Sequence, residues 1–485
     1  MPYVKKHSVN QYETNCLDDQ IEENNPVRLY RLVSDMYVSS NADKLGVKEE
    51  KSSGRPEYHP SDMLCLFLYG YINRITSSRP LEKECYRNVE VQWMMGRLTP
   101  DHWTINNFRT NNKELISGLV KQFRQFLKDQ KLIDGDTVMV DGTKLKANNR
   151  KDMLKVSELR DMVQRGEEGI SKYLDELDRL DKLEEEKERL QEMQEERERL
   201  TKELEELKEK TREQQRLYKK AEEEGVKYLG ITDKDSRLML SRNGKVPAYN
   251  LQVAVDAKNH LIVGDSLTQE VVDAYQLKPV VEAIIAEGIP LNTVVADKGY
   301  FTLDEIQGIE EKTAVECVVS VQESPEGKEE EFSYDSQKDE YVCPMDKRLV
   351  LWQKGKKGSK RREGTMSVYL CKECEGCPIR EKCTKSKLGR RIHRQDNREW
   401  RDAYKERMKW EKNKLLIAQR KGVIEHVFGT IKLYMGMFPL LLRGINNVGI
   451  EVDLYVQAYN FRRLLNILKF SDLMSRVAGF NWKMA

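Results

Sequence analysis

Thr137-Val138-Met139-Val140-Asp141-Gly142-Thr143 is the stretch whose reading decides the fold of this 485-residue chain. A short β-branched and apolar run ends in an aspartate and then a glycine, the pattern of a buried strand leading to a turn. Thr293-Val294-Val295-Ala296-Asp297-Lys298-Gly299-Tyr300 repeats that pattern far downstream. A third segment, Arg420-Lys421-Gly422-Val423-Ile424-Glu425-His426-Val427-Phe428-Gly429-Thr430-Ile431-Lys432, is helical in period. Three carboxylates spaced this widely can meet only through folding. If they meet, they form an oxygen-rich site for hard divalent cations, suited to phosphoryl transfer on nucleic acid.

Each acid has an ordinary alternative. An aspartate at a strand end is a common turn former, and a glutamate among lysines is a common surface ion pair. The carboxyl ends of parallel strands are where open α/β sheets place ligands, and glycine there lets a phosphate or metal come close. In the helix, Ile424, Val427, Phe428 and Ile431 form one apolar stripe, with Glu425 on its flank beside Lys421, Gly429 and Lys432. Asp134, Asp136, Asp256, Asp265 and Asp273 compete for the same role, and periodicity alone does not exclude them.

The charged fraction is 34%, well above the roughly 25% of ordinary globular chains, yet the net charge is only +2. Residues 171–224 hold 20 Asp/Glu against 14 Lys/Arg, a local −6 that leaves +8 elsewhere. No apolar run approaches the roughly 18 residues of a membrane span, and the start has no signal-like core. A cytoplasmic bacterial protein without membrane contact is expected. In that setting the nine cysteines are packing residues or metal ligands rather than disulfides.

Residues 1–132 read as an all-α N-terminal domain that binds DNA. His59-Pro60-Ser61-Asp62 starts one helix, with Ser61 or Asp62 as N-cap, and Thr99 to Thr104 is a turn before another. Residues 151–225 are rich in Glu, Lys, Arg and Leu without proline, a charged helical or coiled-coil-like insertion of imperfect register. Residues 133–150, 226–320 and 395–470 alternate strands and helices, including a hairpin over Pro247–Asp256 and Leu261–Asp265, and make a mixed α/β core. Residues 321–394 form a basic Cys-rich insertion, and 471–485 a C-terminal tail.

Within that insertion Cys371-x2-Cys374-x2-Cys377-x5-Cys383 follows Cys343-Pro344, short spacings that signal a structural zinc site. An iron–sulfur cluster and unliganded thiols are the rivals. The neighbouring run with Lys356, Lys357, Arg361 and Arg362 is expected to touch phosphates, and Trp352 to stack on an unpaired base.

The chain resembles the DDE transposases of bacterial insertion sequences, in particular the branch called insertion-sequence family 1182. The resemblance spans nearly the whole length. His59-Pro60 through Leu68-Tyr69-Gly70-Tyr71, Ser77-Ser78-Arg79, Trp93, and Thr104 to Phe108-Arg109 are similar to its N-terminal helical part. Val140-Asp141-Gly142-Thr143, Ala296-Asp297-Lys298-Gly299-Tyr300 and Glu425 to Lys432 are similar to its three catalytic blocks.

The resemblance implies a ribonuclease H-like core, with Asp141, Asp297 and Glu425 holding two Mg²⁺ ions for which Mn²⁺ can substitute. It implies cleavage of element ends by water and joining of the freed 3′-hydroxyl to target DNA. Arg420 and Lys432 would position phosphates, with Lys421, Lys298, Arg109 and Arg79 as further DNA contacts. Cys343, Cys374, Cys377 and Cys383 match the family's zinc ligands, with Cys371 as alternate. Double-stranded DNA, at element ends and target, is the expected partner, and a homodimer would hold two ends. A ribonuclease H-like nuclease without strand transfer, a catalytically retired DNA-binding protein, and a coiled-coil interaction protein are the alternatives. The intact acids argue against the second of these, and the strand-rich middle against the third.

Overall fold

A computed structural model describes residues 16–47, 57–149, 153–183, 190–241, 244–321, 332–357, 365–395, 398–437 and 439–483. Arg361 and Arg362 lie outside the described residues, as do the side chains of Lys356 and Lys357. No described helix is long and apolar enough to cross a membrane.

The described chain opens with α1 (Pro26–Ser40), α2 (Ala42–Leu45), α3 (Pro60–Ile72), α4 (Ser78–Arg87), α5 (Val89–Met94), α6 (His102–Asn111) and α7 (Lys113–Asp129). The cap of α3 is His59 rather than Ser61 or Asp62. Pro60 takes the first helical position, where its fixed φ and missing N–H cost nothing, and the His59 ring accepts the Ser61 N–H. Asp101 caps α6 by accepting from Thr104. Every residue of α3 from Ser61 to Ile72 is buried. A helix apolar all round belongs inside a protein, and each fully buried Leu, Met or Phe contributes about 1.5–3 kcal/mol.

After α7 comes β1 (Thr137–Lys146), then β2 (Met153–Lys155), α8 (Val156–Leu183), α9 (Leu190–Glu223) and β3 (Tyr228–Gly230). The two long helices pack as an antiparallel hairpin: Tyr173 donates to Glu203, Gln215 to Glu167, and Gly166 lies against Thr211. Pairing of β2 with β3, Met153 opposite Gly230, closes its base.

The sheet continues with β4 (Arg237–Ser241), β5 (Gly244–Asp256), β6 (Ile262–Thr268), α10 (Leu277–Ala286), β7 (Thr293–Ala296), α11 (Leu303–Thr313) and β8 (Glu316–Val319). Its order is β4-β5-β1-β7-β8, with β6 also on β5. The hairpin of β5 and β6 is antiparallel, β5 pairs antiparallel with β1, and β1, β7 and β8 are parallel neighbours. The fold is therefore mixed α/β.

A second sheet follows, of β9 (Ser333–Asp335), β10 (Glu340–Val342), β11 (Arg348–Lys357), β12 (Thr365–Leu370) and β13 (Arg391–Gln395), in the order β13-β12-β11-β10-β9. The short α12 (Arg380–Cys383) lies between β12 and β13, and Phe332, Tyr341, Leu349, Tyr369, Cys371 and Ile392 form a separate small core. The chain ends with α13 (Arg398–Met408), α14 (Glu411–Gly429), a π-helical turn over Thr430–Tyr434, α15 (Ile445–Ile467) and α16 (Phe470–Ala478).

One continuous apolar cluster joins the N-terminal helices, the main sheet and the C-terminal helices. The buried α15 is its axle: Phe461 stacks on Phe123 of α7, and Tyr455 meets Tyr71 of α3 edge-on. Asn460 of α15 bonds both the N–H and the C=O of Ile262, fixing β6.

Candidate active site

The parallel neighbour of β1 stops early. Val138 pairs with Val294 and Met139 with Val295, whereas the antiparallel pairing with β5 runs on to Lys146 opposite Ala248. Asp141 therefore stands within a longer strand rather than closing it, at the point where parallel pairing ends. Asp297 directly follows the last residue of β7. The two carboxylates come from adjacent parallel strands, and the Asp297 charge acts on Asp141. Burial first, and then Asp297, raise the Asp141 acid above its ordinary range. Arg420 of α14 opposes them, with Nη1 3.0 Å from Asp141 Oδ2, and the Gly142 N–H donates to Oδ1.

Asp297 Oδ1 accepts the Gly299 N–H at 2.8 Å, which folds 298–300 into one tight turn. That turn buries Tyr300, whose hydroxyl donates to Gln252 Oε1. The amide of Gln252 donates in turn to Asp273 Oδ1 at 3.0 Å, which also accepts from Asn250 at 2.8 Å and Lys144 at 3.1 Å. Asp273, in the loop between β6 and α10, is thus the centre of a polar network behind the two aspartates. It also explains Gly142: a Cβ there would stand 2.6 Å from Asp273 Oδ1 and 2.7 Å from Gln252 Nε2. The glycine makes room for a side chain rather than for a metal or phosphate. Of the competing acids, Asp256 is buried at the end of β5, where it accepts from the Asn259 N–H of the turn that follows. Asp265 pairs with the buried Arg124.

Helix α14 packs on β1, β7 and β8 through the buried Val423, Ile424 and Val427, with Ile431 continuing the stripe. Glu425 is on its exposed flank, 65% accessible and 3.9 Å from Lys421. Two turns on, Lys432 donates to Thr143 of β1 and lies over the Phe428 ring. Among the described residues no three His, Cys, Asp or Glu side chains are gathered tightly enough to hold a metal ion. The Asp141–Asp297 pair suits a hard divalent cation in donor chemistry and charge, with the third acid standing off it.

Two family models match. One, the transposase DDE domain, matches residues 342–465, which contain Arg420, Glu425 and Lys432. The other, a transposase domain (DUF772), matches residues 15–111, the N-terminal helices. The chain belongs to the DDE transposases. As such the transposase is an enzyme acting on DNA, of a family that in general depends on divalent metal ions. No curated protein matches it. The cryo-EM structure of a piggyBac transposase synaptic complex with hairpin DNA aligns with 93% of this chain and 79% of its own. Identity there is 10% and the TM-score 0.30, too loose an overlap to inform the fold.

The transposase distributes the expected DNA contacts unevenly. Lys298, Lys421 and Arg79 are exposed. Arg109 is not: it is 2% accessible and donates to the Tyr71 hydroxyl, the Thr76 carbonyl and Asn106. Burial on the inner face of α6 makes it a tie between helices, a correction to the expected DNA contact. Trp352 is half exposed, but the Arg391 guanidinium lies 4.8 Å from its ring centroid.

All five clustered cysteines of the transposase line one small cavity. Cys343 Sγ accepts from the N–H groups of Met345 and Lys347, and Cys374 Sγ from that of Arg390. Burial raises the Cys371 and Cys383 thiols, and neighbouring cysteines raise them further.

Proposed function

We propose that this transposase binds the inverted-repeat ends of an insertion sequence as a homodimer, cleaves them, and joins them to target DNA. One observation carries this reading: Asp141 and Asp297 come from adjacent parallel strands, near enough for the charge of one to act on the other, with Arg420 of α14 set on the first. The strand order supports a ribonuclease H-like core. The first strand is central, an antiparallel hairpin lies on one side and two parallel strands on the other. The core is drawn from residues 133–150, 226–320 and 395–470, with 1–132 binding DNA, 151–225 and 321–394 as insertions, and 471–485 as a tail.

Asp141, Asp297 and Glu425 would hold two divalent ions, Mg²⁺ or Mn²⁺, whose chemistry is to activate the attacking oxygen and stabilise the leaving one. Around them the chain's own residues orient and neutralise. Arg420 favours the ionised form of Asp141 at a half-buried position whose desolvation favours the neutral form. Lys432 and Arg420 offer positive charge to the phosphates flanking the scissile bond. Lys432, seven residues after Glu425, already reaches Thr143 of β1, two residues from Asp141 in sequence. The thiols of Cys343, Cys374, Cys377 and Cys383, with Cys371 as alternate, would hold a structural zinc ion that fixes the second sheet.

The test is incubation of the transposase with Mg²⁺ and DNA carrying the flanking inverted repeats, against Asp297→Ala. End cleavage and joining, both lost in the variant, is the expected result. Cleavage without joining points to a nuclease, and binding without cleavage by the wild type to a retired protein.

A further inference from the structure

Beside Glu425 lies a cavity of about 590 Å³ that neither the aspartate pair nor the cysteine cluster lines. It is walled by the Arg74 loop after α3, the π-helical turn after α14, and the last turns of α15. Three arginines line it: Arg74, Arg462 and Arg463. Several other arginines are matched with acids, as Arg28 with Asp18, Arg124 with Asp265, Arg407 with Glu310 and Arg420 with Asp141. Among the described residues these three have no carboxylate partner. Arg463 donates to the Asn259 carbonyl, while Arg74 and Arg462 sit 4.3 and 4.2 Å from the Tyr434 ring centroid. Tyr434, half exposed on the π-helical turn, thus carries two guanidiniums at the mouth. Arg74 holds its place with a left-handed backbone, φ 65°, which is uncommon for a residue with a side chain.

Three uncompensated guanidiniums around one carboxylate make a receptor for a chain of anions. Guanidinium forks suit phosphate oxygens. We infer that this cavity is a DNA-strand clamp, taking consecutive backbone phosphates of the strand that leads away from the scissile bond at Glu425. The inference rests on the transposase reading and adds a strand-holding site to it. It also joins the N-terminal helices to the catalytic region through the substrate, since Arg74 comes from the former and Arg462 from the latter.

The experiment measures binding of full-length protein to an end duplex and to a single strand by fluorescence anisotropy across a KCl series. The proteins are wild type, Arg74→Gln/Arg462→Gln, Arg74→Lys/Arg462→Lys and Asp297→Asn. Each phosphate that the protein ceases to neutralise lowers the salt slope of log K by about 0.9 on duplex and about 0.7 on single strand. The Gln pair is expected to bind at least 10-fold more weakly at physiological salt, with the slope reduced by the share of nearly two phosphates. The Lys pair should recover most of the slope, and Asp297→Asn should keep the slope while losing cleavage. An unchanged slope in a folded Gln pair overturns the clamp while leaving the transposase reading intact. Inorganic phosphate displacing nothing from the wild type below millimolar concentration supports a polymer site. Phosphate binding that the Gln pair loses without any change in DNA affinity overturns it. A wild type that binds neither DNA overturns both readings.

Discussion

Arg420 Nη1 stands 3.0 Å from Asp141 Oδ2, across the contact between α14 and β1. This ion pair links the two parts of the chain that supply the acids, and it favours the charged form of a half-buried carboxylate beside a second one. Burial and Asp297 push the Asp141 acid up, and Arg420 pulls it down.

Arg420→Gln therefore raises the Asp141 acid further and leaves it neutral over a wider range. The acid limb of the cleavage profile is expected to move to higher pH, because a positive neighbour that favours the ionised form has been removed. Cleavage at neutral pH should fall by 10-fold or more. Rates from pH 5.5 to 9 decide the matter, and an unshifted limb would show that Arg420 does not govern this ionisation.

Asp273 accepts from Lys144, Asn250 and Gln252 with one oxygen. Asp273→Ala strips buried amides of their acceptor and is expected to cost about 1–3 kcal/mol of stability as well as cleavage. Asp273→Asn keeps an acceptor oxygen and loses only the lysine pairing, so its loss should be smaller. Gly142→Ala collides with the same oxygen and should resemble the alanine variant. Urea melts together with cleavage assays separate these cases, and equal behaviour of the Asn and Ala variants would count against the network.

Arg109→Ala should destabilise the fold by about 1–3 kcal/mol, because it unties buried hydrogen bonds. The salt slope of DNA binding should not change. A slope reduced by about one phosphate's share in a protein of normal stability would return Arg109 to the DNA surface.

Protein purified without chelator is expected to carry about one zinc per chain, the stoichiometry of a four-thiolate site. Cys343→Ser and Cys374→Ser should lose it, and Cys16→Ser, at an exposed position far from the cluster in sequence, should not. Metal analysis by plasma emission reads this directly. Full zinc in both cluster variants would exclude those ligands.

Glu305 is buried, accepts the Lys278 N–H that opens α10, and has its acid raised from 4.5 to about 7 by burial. A raised acid stabilises the fold most below the unfolded value, and that contribution fades as pH climbs through 7. Glu305→Gln should melt like the wild type at pH 5. At pH 8 it should be more stable, by up to about 3 kcal/mol on the linkage relation. Parallel melting curves at both pH values would rule this out.

Much of the architecture was legible because it obeys local rules. The alternation of Pro247–Asp256 and the turn after it became β5 and β6, and the apolar stripe of α14 is the face packed on the sheet. What was not legible depends on partners distant in sequence. Arg109 looks like a solvent-facing base until α6 is laid on α3. Gly142 suggests room for a ligand until Asp273 arrives from beyond β6. Asp273 itself was only one acid among several, since nothing in its neighbours announces that three donors converge on it. The three arginines of the cavity come from segments with no common motif, and only the fold brings them together.

The helical hairpin of α8 and α9 also changes how the sheet can form. The two central strands, β1 and β5, pair antiparallel although the whole insertion separates them. Closing so long a loop is slow when nothing shortens it. Here each long helix finds its mate through nearby contacts, and the β2–β3 clasp then delivers both ends of the insertion side by side. The hairpin is thus a built-in shortcut for assembly: it turns a remote strand encounter into a neighbourly one before the catalytic edge exists.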